Sequence, residues 1–557
     1  MKIMENNIIL KLKHTLKLLI LITAMILPSA CESDLLESPP HLMTTNALFQ
    51  DRAGFEAAVN GLYSYARREL VNSSSAAWDI TKVGTDGYVA NHDHSSNSFS
   101  FFTTQWGGLI NPDVNKFDGL WTLYYRVINT ANHIISQANR EDVPLSEADK
   151  NLFLADAKAV RAWAYRHLTY LFGDVPLSLQ PSSGATIRRD WTRTSVAEVR
   201  EQMIEDWLFA VQHLPVESTL AGRMTKGAAE HYLAEMYIVK GGYAEAISWA
   251  DRAINNPSYS LITERFGDGS GEPGVPFMDM FRDENANRED GNTEALWVKQ
   301  FAEGVTGGEL YNAMKRKHMS RYHSIVIDGV NPLRATANRG GEGRARTSLT
   351  KWALDLYEPQ DDRGSEYAIR KYFILQDAEG NSPMPADRLP PGWNYGDTLH
   401  LDWSEDITAA TRNRTTWPWS RKVDWANPAT PGMRENYKNV PYLRLAETYL
   451  LKAEAQYLNG DPDGAAETLN VIRRRANASE IDVSAVDIDF ILDERQRELA
   501  IEEQRRYTLI RTGKLVERTR LYNNYGGEFI TERDIIFPVP QEVIDANETE
   551  FPQNPGF

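Results

Sequence analysis

The sequence predicts a mainly α-helical protein, a superhelix of tetratricopeptide-like helical pairs with long irregular loop inserts and minor β structure. Three observations predict it. Apolar residues recur three or four apart over several long stretches, which is the period of a helix with one buried face. The stretches come in pairs, and one pair has tetratricopeptide spacing. Two long segments, roughly 261–350 and 375–440, interrupt them with Gly, Pro, Asn and Trp and no clear period.

The chain opens with Lys2, Lys11, Lys13 and Lys17, then an apolar run from Leu18 to Leu27, then Ser29 and Ala30. A basic start, a short apolar run and a small-residue site make a secretory signal peptide over 1–30. The run is shorter than the ~20 residues a bilayer-spanning helix needs. Cys31, the single cysteine, follows directly and is predicted to be lipidated, although Pro28 stands where a lipobox usually has Leu. Ordinary cleavage with an incidental cysteine is the alternative. With one cysteine the chain can form no internal disulfide. A lipid chain anchors without spanning.

In the body, Phe117, Leu120, Trp121, Tyr124, Ile128, Ala131 and Ile135 mark a helix over 117–138. A second, over 151–173, has a small face of Ala155, Ala159 and Ala162 and stops at Gly173 with Pro176 beyond. Further helices are predicted at 195–213, 225–240, 243–255, 442–459, 463–476 and 489–512. In the segment 230–257, Leu233, Ala234, Tyr237, Ala246 and Ala253 fall at the repeat offsets. The small residues admit a close partner helix and Tyr237 fills the groove. One pair cannot bury its own apolar face, so several must stack.

The net charge of −17 includes a basic leader, which leaves the mature body near −20. That argues against nucleic acid, whose binding rests on Lys and Arg neutralising phosphates. The 14 Trp and 24 Tyr are the informative part of the composition. Both inserts are too aromatic for solvated tethers, and long loops in a compact body tend to be functional.

Six blocks then fall in a recognisable order: WTLYYRVINTANHII (121–135), AVRAWAYRHLTYLFGDVPL (159–177), GRMTKGAAEHYLAEMYI (222–238), PYLRLAETYLLKAEAQ (441–456), ERQRELAIEEQRRYTLIRTGK (494–514) and FPVPQEVIDANETEFPQNPGF (537–557). Through them the chain resembles the SusD/RagB family from Cys31 to Phe557. The resemblance implies one SusD-like domain over 31–557, with a repeat scaffold at about 117–260 and 440–515. It places ligand-binding inserts at about 72–116, 261–350 and 375–440. It implies a lipid-anchored protein at the cell surface of the outer membrane that captures oligo- or polysaccharide for a SusC-like TonB-dependent transporter. Oligopeptide capture, or a transporter lid with little affinity of its own, are the rival binding roles. The repeat face is implied to meet the transporter.

Sugars present apolar C–H faces and hydroxyl edges, so a glycan site calls for aromatic platforms flanked by Asp, Asn or Arg. Seven Trp lie outside the predicted helices: Trp78, Trp106, Trp393, Trp403, Trp417, Trp419 and Trp425. Loop aromatics pack beneath their loop or face a ligand. The resemblance nominates Asp86, Tyr88 and Trp106 from one segment, Tyr311 and Arg316 from the next, and Trp393, Tyr395 and Trp403 from the last. The basic run Arg334, Arg339, Arg344, Arg346 and Lys351, with one acid, Glu342, reads as a solvated loop; its functional alternative is the grip of an acidic sugar.

Other charges read as structural. Glu494, Arg495, Arg497, Glu498, Arg505 and Arg511 lie at helical spacing and are predicted to brace the repeat core. His92, Asp93 and His94 lack a third ligand at a matching spacing, so no metal is expected. The segment 267–274 is Gly-rich but lacks the Lys and Ser/Thr of a phosphate loop. Asp361 and Asp362 are adjacent and define no glycosidase pair, which needs a fixed separation across a sugar. No catalytic constellation and no cofactor are expected; an enzyme of glycan breakdown is the rival that a carboxylate pair in the pocket would have signalled.

Overall fold

The computed structural model describes residues 45–557 except 72–76, 92–105, 107–108, 306–307, 309–310, 377, 380–381, 384–385, 409, 412 and 434. The described residues fall into two units, one ending at Phe55 and one spanning Glu56–Phe557. In the first, a short helix Thr45–Leu48 precedes the start of α1 (Arg52–Arg67), and Phe49 meets Phe55 edge-on. The second holds every predicted scaffold helix and all three inserts.

Its helices are α2 (Asn115–Ala138), α3 (Glu147–Phe172), α4 (Val196–His213), α5 (Lys226–Lys240), α6 (Tyr243–Ile254), α7 (Leu445–Leu458), α8 (Pro462–Arg475), α9 (Ile488–Leu499), α10 (Arg505–Arg511) and α11 (Leu515–Tyr522). Local chemistry sets their ends. Ser146 caps α3 through the Asp149 N–H at 3.1 Å, Ser195 and Glu198 close a capping box on α4, and Thr225 caps α5. Gly241 ends α5 in the left-handed region at φ +82°. Asp461 and Pro462 start α8.

From α2 to α8 each helix packs on the next, and α7 also packs on α9. The small residues do as their spacing predicts: Ala234 and Ile238 of α5, Ala246 and Ala250 of α6, and Leu451 and Ala455 of α7 share one buried cluster, with Tyr237 against it. So α6 and α7 are neighbours in space although residues 255–444 lie between them in the chain. The insert leaves and returns through a two-stranded antiparallel sheet, β2 (Ala295–Lys299) against β8 (Val440–Arg444), bulged near Leu443. Other small sheets stiffen the insert: β1 (Tyr88–Ala90) with β3 (Thr347–Leu349), β4 (Ile369–Arg370) with β7 (Trp419–Ser420), and β5 (Tyr372–Ile374) with β6 (Thr398–His400).

Buried ion pairs fasten the insert to the repeats. Glu498 on α9 accepts from Arg363, Arg444 and Arg475, and Glu494 accepts from Arg363, Arg473 and Arg497. Glu294 and Lys422 come from the insert and pair with Arg444 and Glu502. The predicted brace is therefore present, and its partners come from the insert as well as from the helices. Each charge removed from water is matched at hydrogen-bond distance, the condition under which buried ions are tolerated.

The single helix predicted over 489–512 is two. Ile501 adopts φ +76°, a strained region for a β-branched residue. Distant groups hold the break: the Tyr88 hydroxyl accepts from the Ile501 N–H at 2.7 Å, the Thr81 carbonyl from the Arg506 N–H at 2.8 Å, and Lys82 donates to the Glu502 and Glu503 carbonyls. The helices α1 and α11 are additional to those predicted. At the C-terminus, Asn554 donates to the carbonyls of Phe172 and Phe537, and Phe551 packs against Trp121. Among the described residues, no helix is long and apolar enough to cross a membrane.

Candidate functional site

Three half-buried aromatic rings from three parts of the insert stand in a row. Tyr311 meets Tyr437 with ring centroids 6.5 Å apart, and Tyr437 meets Trp425 at 6.2 Å, both edge-on. Backbone pairing sets this neighbourhood. The Asn312 N–H donates to the Asn436 carbonyl at 2.9 Å, and the Asn312 side chain donates to the Lys438 carbonyl at 2.9 Å. Tyr311 and Tyr437 are thus brought side by side.

Trp425 is fixed from several directions. Its ring N–H donates to Asp283 at 2.5 Å, and the Lys315 ammonium lies 5.4 Å from its ring centroid. Lys315 also donates to the carbonyls of Met433 and Glu435 at 3.0 Å each. Beneath, Lys438 gathers the carbonyls of Phe281, Lys422 and Asp424. Burial lowers both lysines to about 8, so both remain mainly charged at neutral pH. The chain crosses behind Trp425 at Gly340 and Gly341, with φ +83° and +87°. A Cβ on Gly341 would lie 2.9 Å from the Ala426 methyl and 3.0 Å from the Trp425 carbonyl oxygen. Glycine is required there by conformation and by space.

Trp425 also forms one wall of a cleft of about 550 Å³, lined in addition by Tyr367, Asn338, Arg282, Arg421 and Glu272. The Gly-rich stretch 267–274, unfit as a phosphate loop, contributes the rim at Glu272, Pro273 and Gly274. A line of ring faces beside a polar cleft can stack on sugar C–H surfaces while Asn, Arg and Glu bond the hydroxyls.

The sequence-based candidates divide. Tyr311 lies on the row and Arg316 follows it, half-buried, in the short helix Met314–His318. Trp393 and Tyr395 sit on the turn joining β5 to β6, half-buried and 43% exposed respectively. Trp403 is half-buried and donates to Asp355. Three candidates are corrected. Asp86 is fully buried, and its oxygens accept from Arg505 at 2.9 and 2.6 Å and from Arg518 at 2.9 Å. Tyr88 is buried with its hydroxyl committed to Ile501, and Trp106 is buried with the Arg506 guanidinium 5.3 Å from its ring. Each is taken up by the α9–α10 break and its surroundings, not by a surface. Trp78, Trp417 and Trp419 are core residues as well.

Sequence reasoning missed Tyr437. It was one tyrosine among many, and its only signal is alternation: Asn436 and Lys438 are buried while Tyr437 between them is not. The basic run is not a solvated loop. Arg339 is buried, Arg344 pairs with Glu342 at 2.6 Å, Lys351 pairs with Asp355, and Arg346 is half-buried. Cys31, His92, Asp93 and His94 lie outside the described residues. Among those described, no group of three His, Cys, Asp or Glu could hold a metal ion.

Two family models match the chain: the SusD family over residues 293–557, and a family described as starch-binding, associating with outer membrane, over 37–238. A SusD-like protein P2 of Formosa agariphila is 26% identical over 553 residues, covering 94% of this chain and 96% of that protein. The starch-binding protein SusD of Bacteroides thetaiotaomicron is 30% identical over 431 residues, 72% of each. Among solved structures, a laminarin-binding SusD-like protein superposes with a TM-score of 0.67 at 22% identity, over 91% of this chain and all of that one. A surface glycan-binding protein A from Bacteroides thetaiotaomicron gives 0.68 at 18%, with the same coverage. With both halves matched by family models and the helical scaffold shared, the chain belongs to the SusD family.

Proposed function

We propose that this protein binds oligo- or polysaccharide at the Tyr311–Tyr437–Trp425 row and passes it to a SusC-like TonB-dependent transporter. Lipid on Cys31 holds it at the outer-membrane surface. The observation that carries the reading is the row itself: three half-exposed rings in mutual contact, opening on a cleft with Asn and Arg at its walls. The starch-, laminarin- and glycan-binding names of its relatives support the ligand class, and the outer-membrane description of the matched family supports the location. The anchor and the transporter rest on the leader sequence and on the family resemblance. Capture is the role we read, because the matched family is described as starch-binding and the relatives are named for the glycans they bind.

The test is isothermal titration of the purified mature chain against neutral glycans, acidic glycans and peptides. Binding to a glycan is expected, weakened about tenfold or more, roughly 1.4 kcal/mol, in Trp425→Ala and in Tyr437→Ala. Heat from peptides only, or glycan binding indifferent to both substitutions, overturns the reading.

A further inference from the structure

At the Tyr311 end of the row the structure gathers arginines and withholds partners from them. Arg316, Arg321 and Arg346 are half-buried. Among the described residues their guanidinium groups make no hydrogen bond and no ion pair to the protein, and the Nε atoms of Arg316 and Arg321 are buried without a partner. They belong to one laced patch. The Arg346 N–H donates to the Lys317 carbonyl and the Ala345 N–H to the Met319 carbonyl, both at 2.8 Å. The Arg321 N–H donates to the Arg414 carbonyl at 2.7 Å, and the Arg414 side chain returns to the Arg344 carbonyl at 3.1 Å. Of the acids in this patch, Glu342 pairs with Arg344 at 2.6 Å, and Asp79 pairs with Lys317 at 2.9 Å through one carboxylate oxygen.

We propose that the site takes an anionic glycan, with a sulfate ester or uronate carboxylate held by Arg316 and Arg346 while a neighbouring ring stacks on Tyr311. This deepens the glycan reading and rests on it. Arginines kept half out of water with no hydrogen-bonded acid on their guanidinium groups among the described residues are costly to the fold, and a bound anion offsets that cost. Burial first, then Arg316 and Arg344, lower the pKa of Arg346 against the opposing pull of Asp79, and Tyr311 lies within its electrostatic reach. Guanidinium groups suit these anions because their paired N–H donors match two oxygens of a carboxylate or sulfate. The middle of the row has acids beside it instead. Glu303 and Glu435 lie by Tyr437 and add to the effect of burial in raising its hydroxyl pKa. The charged group is therefore directed to the Tyr311 end and neutral sugar to Tyr437 and Trp425.

The experiment titrates the mature chain with matched oligosaccharides: a sulfated form and its desulfated counterpart, and a uronate-bearing form and its carboxyl-reduced counterpart, at low and high salt. At least one anionic form is expected to bind ten times tighter than its neutral counterpart, and that preference should shrink at high salt. Arg346→Gln should cut the preference at least threefold and leave the neutral affinity within about twofold. Among the described residues the Arg346 side chain makes no hydrogen bond or ion pair, so the variant is expected to fold. Which pair shows the preference identifies sulfate or carboxylate. Equal affinity within both pairs, or a preference that survives Arg346→Gln unchanged, overturns the proposal. Neutral binding that still depends on Trp425 would then leave the glycan reading standing. Silence from every glycan removes both.

Discussion

Asp86 offers the sharpest contrast between a ligand group and a structural one. Its carboxylate is fully buried and accepts three charge-assisted hydrogen bonds, two from Arg505 and one from Arg518. Burial alone would raise its pKa, but the two guanidinium groups hold it below the usual carboxylate range. Removing one partner of a buried pair typically costs about 3–5 kcal/mol. Asp86→Asn keeps one acceptor oxygen. Arg505 retains Glu503 at 3.3 Å and the Leu492 carbonyl at 2.8 Å, while Arg518 retains Asp489 and Asp493. These compensations place the loss at the lower end, about 3 kcal/mol. Guanidinium unfolding followed by tryptophan fluorescence should show an earlier midpoint with an unchanged slope. Glycan affinity of the folded variant should match that of the parent. An unmoved midpoint together with lost glycan binding would refute the reasoning and return Asp86 to the binding site.

Acid should loosen the same brace. Burial favours the neutral form of Glu235, Glu494 and Glu503, yet Arg166 and Arg511, Arg363 and Arg497, and Arg495 and Arg505, respectively, hold them at about 2. Their folded-state pKa values lie below the unfolded value of about 4.3. Their contribution is therefore complete above that pH and is lost as pH falls toward 2. Unfolding midpoints measured from pH 7 down to pH 2 should hold steady and then fall below about pH 4.5. Gly341→Ala should cost more than about 1 kcal/mol and weaken glycan binding by displacing the Trp425 loop. Gly392→Ala, at φ +82° with nothing within 4 Å of its Cβ, supplies the control: strain without any effect on Trp425. Unfolding and titration of both variants check this.

The scaffold was legible because helical periodicity and capping are local. Gly173 with Pro176 beyond it, and the small face of Ala234 and Ala246, state where helices stop and touch, within a few residues of one another; the start of α3 four residues ahead of its predicted position is set by Ser146. The brace was legible for the same reason, since charges at helical spacing on a helix packed into the body need partners. The break at Ile501 was not, because Tyr88, Lys82 and Thr81, more than 400 residues away, hold it open. The site was legible only in part. Tyr311 and Arg316 were named, but nothing along the chain distinguishes Trp425, which faces the cleft, from Trp417 and Trp419, which are core.

The amino-acid order by itself determined that paired helices would form and stack, that a charge network would bind them, and that irregular aromatic segments would be carried on them. Only the tertiary structure decided which aromatics meet and which charges stay unpaired. Those outcomes depend on contacts between segments more than eighty residues apart: Tyr311 beside Tyr437, and the Gly340–Gly341 turn behind Trp425. Such contacts follow from how the inserts close on themselves between α6 and α7, and spacing along the chain carries no record of that closure.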